Sequence, residues 1–101
     1  MSYKHNNLLA MRERYWNDQH SEEVQQEKLF LRDTLIRYEV FPNPDLEDVK
    51  YVFFALPSIV IVKGYALGFQ HVQVQSMIEQ FIAENKNRLA QREPVKIQFR
   101  M

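Results

Sequence analysis

The segment Phe41-Pro42-Asn43-Pro44-Asp45 constrains this chain more than any other. Each proline locks its own backbone, lacks an amide donor and pushes the residue before it out of the helical region. No helix or sheet ladder can run through 41–45. The whole chain has 101 residues, one domain's worth of core. It is therefore read as a single domain, 1–101, built from two sub-units, residues 1–40 and 45–101, that meet at a rigid turn.

Before the turn, Leu8, Met11 and Tyr15 share one helical face and Leu9 with Trp16 the adjacent one, which predicts a short amphipathic helix from about Asn7 to Asn17. Asn17-Asp18-Gln19-His20-Ser21 reads as a turn. Ser21 is placed to cap a second helix whose positive end suits Glu22 and Glu23. That helix is expected to reach about Val40. Val24, Leu31, Leu35 and Tyr38 make one apolar stripe along it, while Leu29, Ile36 and Val40 make a second, well round the cylinder. Two stripes need two partners: the first helix, folded back as an antiparallel hairpin, and either the rest of the chain or another subunit.

After the turn, Asp45 is expected to cap a helix over Leu46–Leu56. Pro57 marks a boundary. The β-branched run Ser58–Lys63 suits a strand, yet Pro57 suits a helical first turn and Ile59, Lys63 and Leu67 suit the helical period, so helix is preferred. Val74, Met77, Ile78, Phe81, Ile82 and Leu89 predict a helix from about His71 to Gln91, ended by Pro94. Val95, Ile97 and Phe99 alternate with Lys96, Gln98 and Arg100 as in a half-buried strand. The expected fold class is thus mainly α: an amino-terminal helical hairpin packed on a second helical unit, closed by a short carboxy-terminal β-strand.

Composition narrows the function classes. The chain is 46% hydrophobic and 26% charged, with two glycines and four prolines, the profile of a folded domain rather than a disordered tail. It has no cysteine, which removes disulfides, thiol nucleophiles and zinc–thiolate sites and makes a reducing cytoplasm the expected location. Met1–Ala10 lacks the apolar run of an export signal. Lys50, Pro57 and Lys63 interrupt the most apolar stretch, 49–69, so no membrane association is expected. Thirteen basic residues balance thirteen acidic ones, which gives no overall attraction to a polyanion. The charge is nonetheless polarised: residues 1–50 carry seven basic against ten acidic side chains, and residues 84–101 carry five against two.

One stretch has a mechanistic reading. In Val60–Glu79, Gly64 stands where two helices would cross, Gly68 at a turn, Phe69 just after it, and Val74 and Met77 as inward anchors of a following helix. This segment resembles a helix-turn-helix DNA-binding motif over about one fifth of the chain. The resemblance implies a dimer that reads base edges and backbone through Gln70, His71, Gln73 and Gln75, while Lys86, Arg88 and Arg92 hold phosphates. Lys63 departs from the pattern by occupying a position such motifs fill with an aliphatic residue. No lysine or arginine occurs between Gly64 and Asn85 either, although phosphate neutralisation supplies most DNA affinity. The same glycines suit close helix packing and a helix end.

Catalytic signals are weak. His5, His20 and His71 lack metal-ligand spacing, no glycine-rich phosphate loop is present, and the serines at 2, 21, 58 and 76 lack a nucleophile elbow. Asp45, Glu47 and Asp48 suit a helix's first turn better than a cation site. No cofactor or metal is expected, and no enzyme activity. Thirteen aromatic residues exceed what a domain this small buries fully, so some are expected to face a partner. Tyr15, Trp16, Leu29, Ile36, Tyr51 and Phe54 are the candidate protein-interface residues. The leading expectation is a small non-catalytic regulatory, adaptor or inhibitor protein, homodimeric, that binds another protein. The alternative is a dimeric DNA-binding regulator.

Overall fold

The computed structural model describes the backbone of residues 2–92 and the side chains of residues 7–92. Six helices follow one another: α1 (Ser2–Trp16), α2 (Glu22–Arg37), α3 (Leu46–Ala55), α4 (Ser58–Leu67), α5 (Val72–Glu84) and α6 (Lys86–Ala90). The protein is mainly α, and no strand occurs among the described residues. The alternating segment Val95–Arg100 lies outside them.

Local chemistry sets most boundaries. Ser21 Oγ accepts from the Val24 amide at the start of α2. Asp45 and Asp48 exchange side-chain and backbone hydrogen bonds in a capping box at the start of α3. At the end of α2 the chain departs from expectation, because the helix stops at Arg37 rather than Val40. Glu39 takes a left-handed conformation, φ 61°, the Glu39 amide donates to Ile36 O, and the Val40 amide donates to Leu35 O. This reversal satisfies the last carbonyls and turns Val40 into the core. The helix expected over 71–91 is two helices broken at Asn85, whose side-chain amide donates to Phe81 O at 2.9 Å. A short polar side chain that bonds the backbone in this way competes with the helical ladder. The ambiguous run 58–63 is helical, with Val60 and Ile61 turned inward. The helix α1 begins at Ser2 rather than Asn7, ahead of its first apolar period.

The packing partners also differ from the expected hairpin. The principal neighbour of α1 is α4, while α2 lies against α3 and α5, and α5 against α4 and α6. The path bends by 97° between α3 and α4 at Leu56-Pro57, which brings α4 back across α1. The core joins Leu31 and Leu35 of α2, Val52 and Phe53 of α3, Val60 and Ile61 of α4, Phe69, and Ile78 and Ile82 of α5. Trp16 belongs to it, with ring centroids 5.6 Å from Phe53 and the Lys28 ammonium 4.3 Å over the indole. That placement corrects its assignment as an interface residue: the indole is buried by the α1–α3 contact and offers no surface to a partner.

Arg12 ties α1 to the end of α3. Its guanidinium is buried and donates to Phe53 O and Phe54 O at 3.3 and 3.4 Å. These carbonyls lie in the last turn of α3, where intrahelical donors run out and the helix dipole favours a cation. Burial pulls the Arg12 pKa below its ordinary value. The helix end, in turn, gains a partner from a residue 41 positions away.

Candidate functional site

The densest polar chemistry lies where the α4–α5 turn meets α2. Gly68 ends α4 with φ 96°, a conformation that L side chains avoid. Gly64, one turn earlier, lies against the Phe69 ring so closely that a Cβ would overlap it. The turn is then held by two carboxylates of α2. Glu23 Oε2 accepts from the Phe69 amide at 2.7 Å, and Glu27 Oε1 accepts from Gln70 Nε2 at 3.3 Å. Gln75 Nε2 extends the chain to Gln70 Oε1, also at 3.3 Å.

Glu27 is the anomaly of this network. The residue is 1% exposed and its Oε2 has no hydrogen-bond partner. Burial, reinforced by the charge of Glu23 and opposed by the nearby Gln75 amide, pushes its carboxyl up to about 8. At neutral pH it is held mainly as the neutral acid, since a lone buried carboxylate is far costlier than a buried acid. Sequence periodicity carried the signal: Glu27 falls between Val24 and Leu31 on the buried stripe of α2. Around this pair, Tyr15 O–H donates to Glu23 O at 3.4 Å and Tyr65 O–H to Met11 O at 2.5 Å. Both hydroxyls are raised above their ordinary pKa, chiefly by burial.

The residues singled out for DNA recognition are dispersed. His71 caps α5, its Nδ1 accepting from the Gln73 amide at 3.0 Å. Gln70 is exposed but tied to Glu27, and Gln75 is half-buried and tied to Gln70, whereas Gln73 is fully on the surface. Lys86 and Arg88 line a shallow polar depression at the α5–α6 break. They lie beyond the far end of α5, roughly 18 Å along its axis from the glutamines. Arg92 pairs with Asp48 and lies over the Tyr51 ring, so its charge is engaged by α3.

The interface candidates divide as well. Leu29 and Ile36 are 60% and 38% exposed, so the second stripe is only partly covered along α2, while Val40, beyond the end of the helix, is buried in the core. Tyr15 packs in an aromatic cluster with Phe53 and Phe69. Tyr51 and Phe54 are half-buried against the core. The structure adds a face that sequence reasoning did not assign: Ile59 and Val62 on the outer side of α4 are 53% and 48% exposed. The clue was composition, because α4 is apolar on nearly every side, and a helix of that kind ordinarily has neighbours all round.

Among the described residues no group of three or more His, Cys, Asp or Glu side chains is arranged to hold a metal ion. No single helix there is long and apolar enough to cross a membrane. No family model, no curated protein and no solved structure matches this chain.

Proposed function

We propose that this chain is a non-catalytic regulatory, adaptor or inhibitor protein of the cytoplasm that acts by binding other protein surfaces, its own copy among them. The observation that supports this reading is the pair of apolar faces left uncovered, Leu29 with Ile36 on α2 and Ile59 with Val62 on α4. Paired apolar side chains at helical spacing are the usual anchors of helix-mediated recognition, and each contributes roughly 1.5–3 kcal/mol when fully buried. Affinity capture from a cell extract with the native chain and with a Leu29→Asp, Ile36→Asp variant tests the reading. A stoichiometric protein partner is expected with the native chain and lost with the variant. Recovery of nucleic acid alone, or of the same proteins with both baits, refutes it.

A second reading, dimeric DNA binding, draws support from the Gly64–Phe69 approach and the Gly68 turn between α4 and α5. Under that reading Gln73 presents the freest base-reading side chain and Lys86 with Arg88 the phosphate contacts. Replacing Lys86 and Arg88 by alanine then flattens the salt dependence of duplex binding. Absence of binding to a random duplex pool at low salt eliminates it.

A further inference from the structure

The turn between α4 and α5, residues 68–71, is fastened to α2 by two hydrogen bonds whose acceptors are carboxyl oxygens one helical turn apart. Glu23 Oε2 takes the Phe69 amide at 2.7 Å, and Glu27 Oε1 takes Gln70 Nε2 at 3.3 Å. The second fastening spans two very different surroundings. Gln70 is exposed whereas Glu27 is 1% exposed, so the side chain bonded to the buried carboxyl itself stands in water. The other oxygen, Glu27 Oε2, has no hydrogen-bond partner. Water is the partner it gains if the turn moves aside. Gly68 supplies a pivot for that movement: its φ is 96°, and the space above it is open, since a Cβ built there would meet nothing nearer than Glu23 Oε2 at 3.8 Å.

The groups facing Glu27 are negative or neutral. Glu23, on the same helix, acts on it through its charge, and Tyr15 on α1 is a phenol that burial keeps neutral. The turn presents Gln70 and α5 presents Gln75, both uncharged amides. Asp18 lines the same cleft as Glu23 and Phe69 and adds another acidic side chain. None of Asp18, Glu23 and Glu27 forms an ion pair among the described residues, and Arg14 acts on the Tyr65 hydroxyl instead. His71, the titratable residue of the turn itself, is exposed, and its Nδ1 accepts from the Gln73 amide. An ionised Glu27 binds the Gln70 amide more strongly, but one amide does not replace the water that both carboxylate oxygens require. The neutral acid therefore stays buried, and the anion is driven toward solvent. The shortest route runs through the turn, because moving residues 68–71 leaves Leu31, Val52, Ile78 and Ile82 of the core in place.

We propose that the α4–α5 turn is a latch on α2 that the proton on Glu27 holds shut and that loss of this proton releases. On release Gln70 moves off Glu27, the Phe69 amide leaves Glu23, and water reaches both carboxyl groups. A sealed seam becomes an acidic surface. Linkage sets the gain of the device. In the shut form Glu27 titrates at about 8, and in the open, hydrated form at its ordinary value of 4.5. Between these limits the open form gains about tenfold on the shut form for each pH unit. Above them both forms are ionised and the ratio levels off. The latch is independent of the protein-binding reading.

Amide hydrogen exchange of the full chain, followed by NMR, tests the latch at the Phe69 amide, with the Val52 and Ile78 amides as references for the core. Protection is taken relative to an unstructured amide at the same pH. For Phe69 it is expected to fall about tenfold per pH unit from roughly pH 5 to 8 and to level off above that. A local opening exposes little surface, so Phe69 exchange is expected to be unmoved by low urea, whereas exchange at Val52 and Ile78 accelerates with it. That contrast separates release of the turn from unfolding of the whole chain. Glu27→Gln keeps an oxygen for Gln70 and is expected to abolish the pH dependence at Phe69. His71→Asn keeps an acceptor at the start of α5 and is expected to preserve it. Four results overturn the proposal: Phe69 protection that is flat with pH in the native chain, a urea dependence at Phe69 equal to that of Val52 and Ile78, a pH slope that survives Glu27→Gln, or one that is lost with His71→Asn.

Discussion

Replacing Glu27 by glutamine isolates the energetic consequence of the buried acid. In the folded chain its carboxyl titrates at about 8, against an ordinary value of 4.5. Between those two pH values the native state holds a proton that the unfolded chain has released, so stability falls as pH rises through the window. Below it both states are protonated, and above it both are ionised, so this group adds no further slope. The loss is about 1.4 kcal/mol for each pH unit, on the order of 5 kcal/mol across the interval. The other titratable groups facing Glu27 are Glu23 on its own helix and Tyr15 on α1; Gln70 and Gln75 face it across the α4–α5 turn as neutral partners. Glutamine keeps an oxygen for Gln70 Nε2 and does not titrate. Urea unfolding followed by the single tryptophan, Trp16, gives the comparison at each pH. The two proteins are expected to have similar stabilities near pH 4.5, with the variant the more stable by several kcal/mol near pH 8. Stability curves that run parallel from pH 4.5 to 8 refute the reasoning.

Three other substitutions test separate elements of the fold. Gly64→Ala forces a Cβ into the Phe69 ring and is expected to cost about 1–3 kcal/mol in denaturant unfolding. Glu39→Gly relieves a left-handed residue at the end of α2 and is expected to raise stability by up to about 1 kcal/mol. Arg12→Met leaves Phe53 O and Phe54 O without the guanidinium and is expected to lower stability by about 1–3 kcal/mol, with the amides near the end of α3 exchanging faster.

The local features of this fold were legible because they depend on neighbours in sequence. Ser21 and Asp45 announce helix starts through side chains that bond amides three residues on. The stripe Val24, Leu31, Leu35 announces the buried face of α2 through a period. The end of α2 was misplaced because Val40 continues the apolar period while Glu39, a residue with no particular preference for φ > 0, makes the reversal. Asn85 was passed over for a related reason: a polar residue on a periodic helix looks like a surface position until its amide is seen on Phe81 O. Trp16 was misassigned because its surroundings come from α3 and Lys28.

The sequence by itself determined that this chain is mainly helical, that its helices break at Pro42 and Pro44, and that it lacks the chemistry of cysteine. Backbone restriction and side-chain periodicity act over a few residues and need no tertiary partner. Only the tertiary structure decided that α1 rests chiefly on α4, that Arg12 caps α3, and that Tyr15, Tyr65 and Phe69 converge. It also decided which of two equivalent-looking stripes on α2 is covered, and that Glu27 is buried as an acid. Those outcomes depend on contacts spanning up to 54 residues, where the chain path sets both the partner and the dielectric around each group.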